Sequence, residues 1–155
     1  MFGRRRINKY LEKQIKSKKR VANHGEVFTA EREVKAMCDL VKQETERIES
    51  RFLEPACGNG NFLVEILGRK LKHCSSKEDV KIACSSIYGI DILEDNVLEC
   101  RARLQELVSQ YFPVDCSEIF SKNIVQGDFM KPSTIWFLQD EGLEDIDLYN
   151  RKKRK

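Results

Sequence analysis

The sequence predicts an α/β fold in which three parallel strands alternate with flanking helices, half of a doubly wound sheet. Between residues 51 and 126, three short β-prone runs are separated by segments of helical periodicity. The first run passes into a glycine-bearing turn, Cys57-Gly58-Asn59-Gly60, that opens a helix. The unusual residues, Glu54 to Gly60, Asp91 and Gly127-Asp128, all sit at strand ends. That is the carboxyl end of the sheet, where open α/β folds bind ligands.

Taken in order, residues 7–20 suit a short basic helix with few apolar positions. From Thr29, a candidate N-cap, apolar residues recur at Val34, Met37, Cys38, Val41 and Ile48, predicting a helix to about Ser50. Arg51-Phe52-Leu53 reads as a buried strand broken at Glu54-Pro55. A helix follows the glycine turn, with Phe62, Leu63, Ile66, Leu67 and Leu71 on one face. His73 to Asp79 is polar and loop-like, and Val80 to Cys84 suits a short helix. Ser86 to Ile90 is the second strand, Glu94 to Tyr111 a third long helix, and Lys122 to Gln126 the third strand. The expected organisation is a basic segment over 1–20, a partial α/β domain over 21–138, and a charged, poorly ordered tail over 139–155.

At 155 residues the chain has the length of about one average domain. No stretch approaches the roughly 18 apolar residues of a membrane span, so no membrane is expected as a partner. The basic start has no apolar run behind it, unlike a secretory signal. Six cysteines, at 38, 57, 74, 84, 100 and 116, include no CxxC pair and carry no zinc signature. These features predict a cytoplasmic protein with reduced thiols. The overall charge of +3 is uneven: residues 1–20 carry +8 and 151–155 carry +5, leaving −10 for residues 21–150. The basic ends suit contact with nucleic acid, or equally are solvated termini.

Gly58 and Gly60 let the backbone turn sharply and leave room for a ligand, or serve only a structural strand-to-helix turn. A dinucleotide fingerprint needs a third glycine, where this chain has Leu63. Glu54 adds a carboxylate that repels pyrophosphate but accepts hydrogen bonds from an ammonium. A cationic, amino-acid-bearing nucleoside therefore fits better than a nicotinamide dinucleotide. Asp91, at the end of the second strand, suits the two hydroxyls of a ribose, or caps the helix that follows. Asp128 suits the exocyclic amine of adenine, with Phe129 packing on the ring, or is turn chemistry.

The motifs resemble those of S-adenosyl-L-methionine-dependent N6-adenine DNA methyltransferases of restriction–modification systems. Phe52-Leu53-Glu54-Pro55-Ala56-Cys57-Gly58-Asn59-Gly60-Asn61-Phe62 resembles the family's first core motif, and this match is the specific one. Tyr88-Gly89-Ile90-Asp91 resembles the ribose motif, with Ile92 following, and Gly127-Asp128-Phe129 the adenine-contacting motif. His24-Gly25-Glu26-Val27-Phe28-Thr29 resembles the segment that precedes the core, although Ala30 stands where a proline often follows. The resemblance covers about residues 21–130 and implies a Rossmann-like methyltransferase fold, incomplete here. It implies that Phe28, Thr29 and Glu54 hold the methionine end and that Pro55, Ala56, Cys57, Gly58 and Gly60 form the cofactor loop. Asp91 and Ile92 then hold the ribose, and Asp128 and Phe129 the adenine. Cys57 has no evident base partner and is assigned no catalysis.

The family's catalytic motif is Asn or Asp, two prolines and an aromatic, which holds a flipped base. Here Pro55, Pro113 and Pro132 all stand alone, so no catalytic residue is assigned. The expectation is the cofactor-binding part of a DNA methyltransferase, truncated or working with a second polypeptide, the chain alone being inactive. A non-catalytic cofactor- or nucleic-acid-binding module and a protein or RNA methyltransferase remain the alternatives. Phe52-Leu53 is expected on an exposed sheet edge, which invites self-association.

Overall fold

The computed structural model describes residues 14–131. Its centre is a parallel sheet of β1 (Phe52–Glu54), β2 (Ile87–Asp91) and β3 (Ile124–Gln126), in the order β1-β2-β3. Phe52 pairs with Ile87 and Glu54 with Gly89, while Gly89 pairs with Ile124 and Asp91 with Gln126. The mixed α/β architecture and parallel sheet are as the alternating pattern predicts. Most of the N-terminal basic segment (1–13), residues 132–138 and the whole charged tail (139–155) lie outside the described residues.

Helices α1 (Lys18–His24), α2 (Glu31–Asp39) and α3 (Lys42–Glu46) precede β1. Ser17 caps α1 by accepting from the Arg20 N–H at 3.1 Å, and Gly25, at φ 62°, ends it in the left-handed conformation. α1 therefore runs through position 20, where the basic segment was expected to end. The cap of α2 is Ala30, not Thr29, and it makes no side-chain capping bond, because the helix starts one residue too late for the threonine. Nor does one helix continue to Ser50. Val41 leaves helical geometry (φ −124°, ψ 37°), and the chain re-enters a short helix that buries Thr45. Val34 and Cys38 are buried as expected, whereas Met37 and Val41 stay about half exposed.

Helices α4 (Asn61–Leu71) and α6 (Glu94–Tyr111) pack against each other and against β2. α4 buries Leu63, Ile66, Leu67 and Leu71. α6 buries Asn96, Cys100, Leu104 and Val108, a row at four-residue spacing that is apolar except at its head. It ends at Phe112, held extended before Pro113. Between α4 and β2, helix α5 (Lys77–Ser85) is fixed by a reciprocal capping box of Ser76 and Asp79. The sequence reading placed Asp79 in a loop. It also missed α7 (Ser117–Asn123), so β3 begins at Ile124 and not at Lys122. Phe120 secures α7 by burying its ring completely.

Lys70 is fully buried, an unusual place for an ammonium group. Its Nζ donates to Ile48 O at 3.0 Å, to Ser86 Oγ at 2.8 Å and to Ser50 O, joining the approach to β1 to the approach to β2. Nζ also lies 5.3 Å from the centre of the Phe52 ring. Burial pushes the ammonium pKa down to about 8.

Candidate functional site

A cavity of about 500 Å³ opens at the carboxyl ends of the three strands. Four chain segments wall it: 24–29 after α1, 54–62 after β1, 91–93 after β2, and 127–130 after β3. Phe28, Thr29, Glu54, Pro55, Ala56, Cys57, Gly58, Asp91, Ile92, Asp128 and Phe129 all line it. Gly60, also nominated from sequence, does not. Backbone bonds lock the strand ends together, with the Cys57 N–H donating to Ile90 O at 2.8 Å and the Gly127 N–H to Asp91 O at 2.8 Å.

Gly58 (φ 54°) and Gly60 (φ 94°) both adopt the left-handed conformation that the tight turn requires. The room left by their missing side chains is filled by protein, which corrects the expectation that a ligand would use it. A Cβ at Gly58 would stand 3.0 Å from the Phe28 ring, and one at Gly60 only 2.6 Å from Cys100 Sγ. The glycines thus seat the loop on Phe28 and α6. Cys57 is buried, and its hydrogen bond with Cys100 together with burial pushes its thiol pKa upward, away from nucleophilic thiolate.

Glu54 is half-buried and, among the described residues, its carboxylate has no ion pair and a single hydrogen bond, from the Ala56 N–H at 3.3 Å. Burial raises its carboxyl pKa, with the Ala56 bond opposing. Asp91 is more heavily committed. Its Oδ2 accepts from the Gly58 N–H at 3.0 Å, and its Oδ1 from the Leu93 N–H at 2.9 Å and Asn96 Nδ2 at 3.1 Å. A carboxylate offers roughly four lone-pair positions. One therefore remains open, on Oδ2, which narrows the expected two-hydroxyl contact. Leu93, not Asp91, is the cap of α6. Asp128 Oδ1 accepts from the Met130 N–H at 3.0 Å, so its turn role is realised.

Several residues of the site escaped the sequence reading. Glu26 lines the cavity and receives a two-pronged contact from Arg20, at 2.8 and 2.7 Å. Burial works to raise the Glu26 pKa, but the Arg20 and Asn96 bonds outweigh it and the net shift is downward. Lys16 bonds Asp95 at 3.1 Å and Glu99 at 2.7 Å, and Arg20 bonds Asp95 at 2.6 Å. These two cations of the basic segment therefore face α6. Arg103 reaches Asn59 O at 2.7 Å and Asn61 Oδ1 at 2.9 Å, while Asn61 Nδ2 donates to Thr29 O at 3.0 Å. The one available signal was Asn96, a polar residue heading an otherwise apolar row.

Eighty-five residues of the chain are 34% identical to a type II methyltransferase, M.VspI of Vibrio sp. (strain 343). The match takes in 55% of this chain but 16% of that protein. The chain is thus related to a methyltransferase, and the match spans about a sixth of that relative's length. No family model matches. No solved structure matches either. Among the described residues, no helix is long and apolar enough to cross a membrane, and no cluster of metal-ligating side chains occurs.

Proposed function

We propose that this chain is the S-adenosyl-L-methionine-binding portion of a DNA adenine-N6 methyltransferase of the restriction–modification type. The observation that carries the reading is the convergence of three separate motifs, plus the segment before them, on one cavity at the strand ends. The relationship to a type II methyltransferase supports it independently.

The donor set of the wall fits such a cofactor. The half-buried Glu54, lacking an ion pair among the described residues, suits the ammonium of an amino-acid moiety. Phe28 and Thr29 line the same cavity. The open position on Asp91 Oδ2 accepts one ribose hydroxyl, with Ile92 beside it. Asp128 Oδ2 suits the exocyclic amine of adenine, its Oδ1 already held by Met130. Phe129 supplies an aromatic face for the base. The cofactor, when bound, provides an electrophilic methyl group on its sulfonium. The chain's residues bind and orient, and no catalytic residue is assigned to them. The Asn/Asp-Pro-Pro-aromatic motif is absent from these 155 residues, so methyl transfer to adenine is assigned to a larger protein or a partner polypeptide carrying it. The second reading is a module that binds the cofactor without transferring its methyl.

The test is calorimetric titration of the full chain with S-adenosyl-L-methionine and with methylthioadenosine, which lacks the amino-acid end. Glu54→Gln is expected to weaken the first roughly tenfold, through loss of a charge-assisted bond, and to leave the second unchanged. Failure of the wild-type chain to bind either compound at millimolar concentration overturns the reading. Methylation of adenine-containing DNA, and not of RNA or protein, once a polypeptide with the catalytic motif is added, separates the first reading from the second.

A further inference from the structure

Asn96 is fully buried at the start of α6, within bonding distance of four charged side chains. Its Oδ1 accepts from Lys16 Nζ at 2.7 Å and from an Arg20 guanidinium nitrogen at 3.2 Å. Its Nδ2 donates to Glu26 Oε2 at 2.7 Å and to Asp91 Oδ1 at 3.1 Å. The amide orientation follows from chemistry alone, since the reverse would set NH2 against two cations and oxygen against two carboxylates. The side chain uses both amide protons and both lone pairs. A buried carboxamide with every position filled is specific to its surroundings, because a replacement that lacks the amide's donors or acceptors takes bonds away from charged groups.

This hub joins two parts of the cavity wall that are distant in sequence. One is segment 14–28, closed on itself where the Phe28 N–H donates to Gln14 O at 2.6 Å and Gln14 Nε2 to Phe28 O at 3.0 Å. The other is the Asp91 carboxylate, which lines the cavity and accepts from the Gly58 N–H of its loop. We infer that Asn96 is a positioning residue: it fixes the Asp91 carboxylate against the Gly58 amide and couples that orientation to the docking of α1. The inference rests on the proposed cofactor reading for its functional meaning. Its geometric part stands on the ligand-free chain.

Two variants of the full chain test it, Asn96→Ala and Asn96→Asp. The second keeps the side-chain volume and the acceptor facing Lys16 and Arg20 but replaces the donor facing Glu26 and Asp91, so it remains informative if the alanine variant does not fold. Binding of S-adenosylhomocysteine and of its 2′,3′-dideoxy counterpart is measured for each protein. The wild type is expected to prefer the hydroxylated compound by roughly tenfold, and both variants to lose most of that preference while binding the dideoxy compound unchanged. A purely structural role would weaken both compounds alike and preserve the ratio, which overturns the inference. Hydrogen exchange without ligand provides the second readout. The Gly58 amide is expected to exchange roughly tenfold faster in the variants, and the Gly60 amide, bonded to Cys57 O at 2.9 Å, at the wild-type rate. If the wild type binds neither compound, the cofactor reading fails and the exchange comparison alone decides the geometric part. Equal Gly58 exchange in all proteins overturns that part too.

Discussion

Strands β1 and β2 are neighbours in one sheet, yet they live in different environments. In β2, Ile87 and Ile90 are fully buried and the strand has a partner on each side. In β1, Phe52 is half-buried and Leu53 is 36% exposed, and among the described residues the strand pairs only with β2. Apolar side chains gather beside that open edge, with Met37 and Val41 about half exposed. A shallow groove between them is floored by Phe52, Phe62 and Ile66. The difference separates two jobs. The β2 side holds the molecule together, while the β1 side presents backbone and apolar surface of the kind that another strand or chain would cover.

The sharpest way to break the comparison is truncation on each side. Leu67→Ala, fully buried on α4, is expected to cost about 2–5 kcal/mol in urea unfolding. Met37→Ala, on the open side, is expected to stay within about 0.5 kcal/mol of wild type. Equal losses would mean that the open side is covered in solution.

Lys70 is a subtler probe, because it ties the entry of β1 to that of β2. Lys70→Met strands Ile48 O, Ser50 O and Ser86 Oγ and is expected to cost about 1–3 kcal/mol. The loss also carries a pH signature. The folded-state pKa of about 8 lies below the ordinary 10.5, so between those values the unfolded chain keeps a proton that the folded chain has released. Stability from this group therefore rises with pH across that window. The desolvated thiols act in the opposite sense. Desolvation raises Cys38, Cys74, Cys84 and Cys116, so their contribution falls as pH passes the ordinary thiol value of 9.0. Wild type should consequently gain on Lys70→Met from pH 8 to 10.5 even while both proteins lose stability. A gap that is flat across this range would contradict the depressed pKa.

The smallest effect on stability is expected at Leu53. Leu53→Lys should change monomer stability by less than about 0.5 kcal/mol but reduce self-association, measured by sedimentation over a concentration series. A wild type that is monomeric at every concentration would sink the expectation that this edge recruits a second chain.

How much of this was legible in the sequence follows the same division. The parallel strands, α4, α6 and the convergence of Glu54, Asp91 and Asp128 could be read, because strand–helix alternation places strand ends together whatever the detailed packing. The break at Val41 could not, since Met37 and Val41 continue a helical period that only the fold declines to bury. α7 is short, and its anchor Phe120 has no periodic companions. Within the site, positions were legible and commitments were not. Nothing in the motif around Gly58 says that Phe28 fills its missing side chain, or that Asn96 and Leu93 hold Asp91 before any ligand does.

One feature of the sheet bears on how the chain comes to be made. Strand order in space repeats strand order in the sequence, so each new strand meets one that has already left the ribosome. β1 and β2 are joined as soon as the segment to Asp91 is available, and β3 then closes the far side around Phe120. Growth in that direction is vectorial and leaves the first strand's outer edge as the last to be satisfied. Among the described residues nothing matches the outer edge of this oldest strand, so during synthesis it makes a standing demand for another segment or chain and is a natural target for chaperones.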